Sequence, residues 1–470
     1  MEYEPDPEKT RVTPLVPITL FACMPLVLWL FTRHPRNPRI AVIIGFLFSF
    51  MFLPNHHYPL PLFPDYDKIS AAGYAVLIGT GIFHPALFQK IRFSPWDLPL
   101  LIWCGVPFLT SISNGLGAYD GVNAALGRII QWGVPYLIGR MYFDQRKGFE
   151  ELMLGFFIGT LVYIPFCLYE VVMSPRLHRI IYGFHPHSFG QAKRGGGWRP
   201  VVFMHHGLMN SMWMVSGLLS GIALAVSGRL RDQLPKLLLP FRLFLIPALA
   251  VTVVLLKSTG ALALFLVGLL LFFTTRSFRL TLPLRLILLI PTLYVITRST
   301  GLWDGQNLIR GVASIASVER TGSLAYRIDN ETILTEHAWK RPLLGWGEWK
   351  RSFVKDDEGE IVSVPDGLWI LAFGKSGYIG LAALIGLFFV PPYLFIKRFP
   401  PARWKEPAIT AILSAPLLIC IFAIDSLLND MYNPLMLIMA GGLVGMHLNP
   451  DAEETLLDQL PNLPPIPRLL

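Results

Sequence analysis

Two stretches of this chain gather guanidinium and imidazole side chains that suit one chemistry, the recognition of phosphate. The first, residues 174–206, holds Arg176, Arg179, Lys193, Arg194 and Arg199 together with His178, His185, His187, His205 and His206. A guanidinium presents a planar fork that grips two phosphate oxygens at once, and Gly195, Gly196 and Gly197 let a backbone approach a ligand closely. Trp198, beside Arg199, suits stacking on a sugar or seating at headgroup depth. The histidine spacings do not make a metal site. His185 and His187 are separated by one residue and His205 and His206 are adjacent, so neither is a helical i,i+4 pair, and no Cys or Glu accompanies them. Contact with anionic lipid headgroups is the competing reading. The position of Arg199, His205 and His206 at the mouth of an apolar run favours a specific phosphate site.

The second stretch, residues 299–367, contains a segment from Arg320 to Lys340 whose pattern predicts an amphipathic helix, stopped by Pro342 and the Gly345-Trp346-Gly347 turn. Arg320 and Arg327 are seven apart and share a face about two turns apart. Glu331 stands four residues after Arg327, so an ordinary i,i+4 ion pair competes with a phosphate role for that arginine. Asp366 closes the stretch, flanked by Val364 and Trp369, which would desolvate it and raise its basicity. Helix capping is its alternative duty. Arg128 lies inside an apolar run, about 9 Å from the outer end of the 122–140 span at 1.5 Å per residue, and needs a wet cavity or a carboxylate; Glu170 is a candidate partner. Lys257-Ser258-Thr259-Gly260 marks a tight turn, and Asp425, Asn429 and Asp430 form another near the C-terminal end.

The elements that must carry these groups are apolar helices. The 470 residues are 53% hydrophobic and only 15% charged, against roughly 25% charged in ordinary soluble domains. With a mean hydropathy of +0.51, this composition excludes a soluble enzyme, a disordered chain, a collagen-like repeat and a disulfide scaffold. Cys23, Cys104, Cys167 and Cys420 all sit in apolar runs and read as core residues. The net charge of +9 points to sorted loops and anionic lipids rather than nucleic acid, for which no motif is present. The acidic N-terminus, and the lack of a small-residue cleavage site after the first apolar run, argue against a cleaved signal.

About thirteen spans are expected, near 15–32, 39–54, 70–87, 97–113, 122–140, 150–173, 207–228, 239–256, 259–275, 280–297, 368–396, 406–425 and 431–448. The fold class is therefore an all-α polytopic membrane protein, one integral domain over 1–470 with two long external loops, 174–206 and 299–367. With the N-terminus outside and the C-terminus inside, nineteen Lys and Arg fall in the short inner connections and only Lys68 and Lys257 in the short outer ones. The two long loops are basic although they face out, where the sorting rule disfavours cations. No internal repeat of the kind that builds transporters is visible.

Four segments resemble the O-antigen ligase and O-antigen polymerase superfamily of bacterial envelope enzymes. Arg199-Pro200 followed by His205-His206-Gly207 resembles the end of that family's first large periplasmic loop, and Ser258-Thr259-Gly260-Ala261 its Ser-Arg-Gly-Ala turn, with Thr in place of Arg. Arg327 through Pro342-Leu343-Leu344-Gly345-Trp346-Gly347 resembles its Arg, aromatic helix and Pro-Leu-Leu-Gly-x-Gly ending. Asp366-Gly367-Leu368-Trp369 with Gly377-Tyr378-Ile379-Gly380-Leu381 resembles its His-Asn-x-Tyr segment and the glycine-rich helix after it, with Asp366 in place of His. The resemblance implies a membrane C-type glycosyltransferase of the bacterial cytoplasmic membrane, metal-independent and without cofactor. Such an enzyme would move a glycan from an undecaprenyl-diphosphate carrier to a lipid-linked or glycan acceptor on the periplasmic face. On this reading Arg199, Arg327, Arg320 and Arg128 would hold the pyrophosphate. The base would be Asp366, His205 or His206. A multi-pass transporter and a non-catalytic polysaccharide-assembly protein are the alternatives.

Overall fold

The computed structural model describes residues 12–60, 63–314, 317–348 and 350–449. The two chain ends, on which the expectations of an external N-terminus and an internal C-terminus bear, lie outside the described residues. Among the described residues the chain is predominantly helical, and eight helices are long and apolar enough to cross a membrane, as in a multi-pass membrane protein. The first half runs α1 (Leu15–Arg33), α2 (Pro38–Phe52), a short hairpin β1 (Tyr58–Leu60) and β2 (Phe63–Tyr66), α3 (Lys68–Phe83), α4 (Leu98–Ser113), α5 (Ala118–Arg128), α6 (Val134–Tyr142) and α7 (Arg146–Met173). After α7 the first long loop contains α8 (Leu177–Tyr182) and a second hairpin, β3 (Lys193–Arg194) and β4 (Gly197–Trp198). Then follow α9 (Gly207–Val226), α10 (Arg229–Gln233), α11 (Arg242–Leu255), α12 (Thr259–Phe278) and α13 (Leu282–Ser299). The second long loop carries α14 (Gln306–Ala313) and α15 (Val318–Ala338). The chain closes with α16 (Leu368–Arg398), α17 (Pro407–Ile412), α18 (Ser414–Leu428) and α19 (Pro434–Leu448).

Each expected span coincides with helix, but they are not thirteen equal helices. Eight meet the length of a full crossing, and four others, Pro38–Phe52, Lys68–Phe83, Leu239–Leu255 and Pro434–Leu448, are shorter apolar helices. The span expected at 122–140 is helical from α5 into α6 but passes through a π turn at Ile129–Gly133, directly after Arg128. An inserted π turn of this kind is often associated with a functional position. The amphipathic helix expected from Arg320 to Lys340 is α15.

One tertiary device organises the second loop. α16 is two helices merged across a break at Gly377, whose φ of 63° and ψ of −165° are open only to glycine. The backbone groups freed there are taken by the Pro342–Gly347 turn. Tyr378 and Ile379 donate to the carbonyls of Pro342 and Leu343 at 2.7 and 3.3 Å, while Trp346 and Gly347 donate to those of Gly374 and Lys375 at 2.8 and 3.0 Å. The fit leaves no room for a side chain, since a Cβ at Gly377 would lie 2.3 Å from the Leu343 carbonyl. Thr110 and Asn114, at the end of α4, hold the other side through the carbonyls of Leu344 and Gly345 at 2.6 and 3.0 Å. Non-helical backbone at membrane depth is tolerated only when other protein satisfies it, and this turn does so.

Candidate functional site

The two long loops meet at one end of the helical bundle, and the first is held by buried groups of the helices beneath it. Glu170, near the end of α7 and fully buried, accepts the backbone N–H groups of Leu177, Val201 and Val202 at 2.9, 2.8 and 2.7 Å. It is a loop anchor and not the partner of Arg128 that its position suggested, because Arg128 pairs with Glu348 instead. Val202 sits at φ +55°, a conformation that costs a β-branched residue roughly 1–2 kcal/mol. Neighbouring bonds fix it there. The Phe203 N–H donates to the Tyr163 hydroxyl at 3.1 Å, and its carbonyl accepts Asn55 Nδ2 at 2.9 Å and Lys68 Nζ at 3.3 Å.

This strained turn projects Arg199 on one side and His205-His206 on the other. Arg199 is 9% exposed, yet no carboxylate pairs with it among the described residues and its buried Nε has no hydrogen-bond partner. Its side chain lies across the start of α9, where Gly207 is required: a Cβ there would be 2.5 Å from Arg199 Cδ. Burial, reinforced by the positive charges of Arg194, Arg327 and Arg320, lowers its pKa to about 10, so it stays cationic at neutral pH. His206 is the N-cap of α9, its Nδ1 accepting the Leu208 N–H at 3.0 Å. Burial, with the charges of His187 and Arg199, holds His206 down at about 3, so it is a neutral imidazole with its hydrogen on Nε2. His187 packs edge-on against both His206 and His205, with ring centroids 4.7 and 5.5 Å apart. Arg199, His187 and His206 line a cleft of about 380 Å³ whose wall carries no acidic side chain.

The second loop supplies the opposite wall. Arg298, at the end of α13 and 5% exposed, bonds Glu331 Oε2 from Nε at 3.2 Å and also reaches the carbonyls of Ile328 and Trp303. Tyr294 and Trp369 donate to the same carboxylate at 2.8 and 3.1 Å. Glu331 is thereby spent on docking α15, and the i,i+4 pair with Arg327 that its spacing permitted does not form. Arg327 instead reaches across to Asp366, Nε to Oδ2 at 3.3 Å. Asp366 does not cap α16. Burial raises its pKa, against the opposing pull of Arg327 and, less strongly, of His187. Asn330, one turn along α15, accepts the Val364 N–H at 2.8 Å and fixes the segment. The next residue must be glycine, because a Cβ at Gly367 would sit 2.3 Å from the Leu427 carbonyl.

Arg199, Arg327 and the exposed Arg320 thus share one electrostatic neighbourhood with Asp366, His187 and His206. Arg128 does not join them. It pairs with Glu348 at 3.0 Å and lies over the Trp103 ring at 4.0 Å, while Lys375 takes the other Glu348 oxygen at 2.7 Å. Arg128, expected at a pyrophosphate site, is placed here in an ion pair with Glu348, with its buried Nη1 left without a partner among the described residues. The Ser258–Ala261 turn meets the first loop through Lys257, whose Nζ donates to the Gly195 carbonyl at 3.3 Å. Two contributors escape a reading by residue type. His187 was one of five loop histidines, with nothing to single it out. Asp425, 8% exposed with one buried carboxylate oxygen unpartnered and within the field of Arg327, looked like a turn residue. Beside Asp366 an apolar cavity of about 490 Å³ begins at Leu368 and Trp369 and runs between α13, α16 and α18. No protein-family model matches the chain, and no curated protein matches it.

Proposed function

We propose that the protein is a membrane glycosyltransferase of the O-antigen ligase or polymerase type, taking a glycan from an undecaprenyl-diphosphate carrier on the periplasmic face and joining it to a lipid-linked or glycan acceptor. The observation that carries this reading is Arg199: a buried guanidinium without a counter-ion among the described residues, beside Arg327 and Arg320, in a cleft whose wall has no acid. Such an arrangement is costly unless a polyanion completes it. The adjoining apolar cavity gives a prenyl chain a place to lie while its diphosphate sits against the arginines.

The chemistry follows from charge. As the bond between the anomeric carbon and the carrier phosphate breaks, negative charge grows on the leaving diphosphate, and preorganised guanidiniums lower the barrier there. The acceptor hydroxyl attacks the anomeric carbon and passes its proton to a base. His206 does not suit that role, because its Nδ1 lone pair caps α9 and Nε2 carries hydrogen; it suits donation to a phosphate or sugar oxygen. Asp366 suits it better. A diphosphate that engages Arg327 draws it from Asp366 and removes the interaction that opposes the raised pKa of that carboxylate. His205, exposed and packed against His187, is the remaining candidate.

A transporter would be favoured by a broken helix that offers its freed backbone groups to a substrate. Here the chain's own Pro342–Gly347 turn takes those groups at the α16 break, which supports the transferase reading. The test is glycan transfer in proteoliposomes by Arg199→Lys and Arg327→Lys, which keep charge but lose the fork. A severe loss in both, with normal membrane insertion, is expected. Near-normal transfer by both variants overturns the reading.

A further inference from the structure

A second polar pocket, open to solvent, lies beside Lys375 and Ser376 of α16 and plays no part in the diphosphate chemistry above. Its wall combines Asp120 at the start of α5, Glu348 and Arg351 after the Pro342–Gly347 turn, and Lys375 and Ser376 at the α16 break. Two acids face two bases, so the wall is charge-balanced, whereas the histidine and arginine cleft carries no acid at all. The balance is partly consumed within the protein: Glu348 accepts from Lys375 at 2.7 Å and from Arg128 at 3.0 Å. Burial alone would raise the Glu348 pKa, but Arg128 and Lys375 together hold it down at about 2. Asp120, half-buried, has neither an ion pair nor a side-chain hydrogen bond among the described residues, and Arg351 makes only a long 3.5 Å contact to the Glu348 carbonyl. The cavity therefore offers an uncommitted acceptor and an uncommitted donor side by side, over an aliphatic floor that includes Pro107 and Leu116.

An anion bound here would meet the carboxylates of Asp120 and Glu348, and a cation would meet Lys375 and Arg351. A neutral group with many hydroxyls meets neither penalty. Each hydroxyl both donates and accepts, so one ring can donate to Asp120 while accepting from Arg351. Leu368 to Ser376 is eight residue steps, about 12 Å of helix at 1.5 Å per residue, which separates this cavity from Asp366 by the reach of a short saccharide and not of a single ring.

We propose that this cavity is a saccharide subsite that takes a neutral, polyhydroxylated sugar unit of the acceptor glycan. The assignment of the sugar to the acceptor rests on the transferase reading; the cavity's preference for a neutral sugar does not.

The test uses the full-length protein in detergent, with glucose, galactose and mannose as probes in saturation-transfer NMR and inorganic pyrophosphate as a probe in calorimetry. At least one hexose is expected to receive saturation from the wild-type protein. Asp120→Ala and Arg351→Ala should each weaken that binding about tenfold, or about 1.4 kcal/mol, with pyrophosphate affinity unchanged. Unchanged pyrophosphate binding also certifies that each variant is folded. No saturation of any of the three hexoses by the wild-type protein, or wild-type hexose binding in both variants, overturns the proposal. If hexose binding behaves as stated while pyrophosphate does not bind at all, the transferase reading falls and the sugar subsite stands.

Discussion

Arg199 and Arg128 are nearly equally buried, with 9% of the residue and 12% of the side chain exposed, yet they live in opposite electrostatic settings. Arg128 is met by Glu348 and a Trp103 ring, with Lys375 sharing the carboxylate, so a counter-ion is in place before any ligand arrives. Arg199 meets no carboxylate among the described residues and sits among other guanidiniums. Burying a charge without a partner costs several kcal/mol, and the fold must offset that cost elsewhere. The anchoring of the Val201–Phe203 turn by Glu170, Tyr163, Asn55 and Lys68 is where it does so. An ion pair closed within the protein marks architecture, and a buried cation left open marks a place where something else must complete the charge.

That contrast can be broken most directly by removing each arginine in turn. Arg199→Ala should abolish measurable pyrophosphate binding and reduce glycan transfer by about 10²–10³-fold, the usual loss when one preorganised donor to a developing charge is deleted. Thermal unfolding in detergent should meanwhile be no worse than wild type, because an unpaired buried cation has been removed. Arg128→Ala should do the reverse. It leaves Glu348 with Lys375 alone and should cost about 1–3 kcal/mol of stability while pyrophosphate still binds. A variant of Arg128 that loses pyrophosphate binding at unchanged stability would merge the two regions into one site.

Acid titration sharpens the same contrast with a smaller effect. His206 is held neutral in the fold and titrates at about 3, below its ordinary 6.5, so the unfolded chain binds the extra proton between those values. Stability from this group is present above pH 6.5 and is lost as pH falls toward 3, at up to about 1.4 kcal/mol per pH unit. Glu348, lowered to about 2 from 4.5, contributes stability that is present above 4.5 and lost only as pH falls from 4.5 toward 2. Acid unfolding should therefore begin in the arginine and histidine cleft. His206→Asn, which keeps a capping side chain on α9, should make the loss between pH 6.5 and 3 shallower, leaving in place the part due to His178 and His205, both lowered to about 4 by burial, and to Glu348. An unchanged profile in that variant would show that another group governs the upper window.

The helical spans were legible because the membrane imposes length and apolarity locally, and α15 because its polar and apolar faces alternate within one segment. That Arg199, Arg320 and Arg327 fall in two long basic loops was legible directly from the sequence. Pairing was not. Arg327 and Glu331 satisfy the local i,i+4 rule, but Arg298, Tyr294 and Trp369 claim that carboxylate from 33 to 38 residues away and release Arg327 to Asp366. Arg128 finds Glu348 across 220 residues, and Glu170 finds Val201 and Val202 only because the loop folds back over α7. No spacing rule reaches that far. The broken α16 was hidden for a related reason. Gly377 reads as an unremarkable glycine in an apolar run, and only the Pro342–Gly347 turn packed against it reveals the break.

That clasp also makes the stretch between it topologically idle. Residues 348–373 leave and return to the same junction, so added length near the tip moves neither half of α16 and costs only the slow logarithmic entropy of a longer loop. The tip is the turn Asp356–Gly359, where the Asp356 carboxylate accepts the N–H groups of Glu358 and Glu360 at 3.0 and 2.9 Å and every side chain faces solvent. A short epitope inserted between Asp357 and Glu358 should be carried without loss of membrane insertion. Its accessibility to antibody in intact spheroplasts would then report on which side of the membrane the arginines stand.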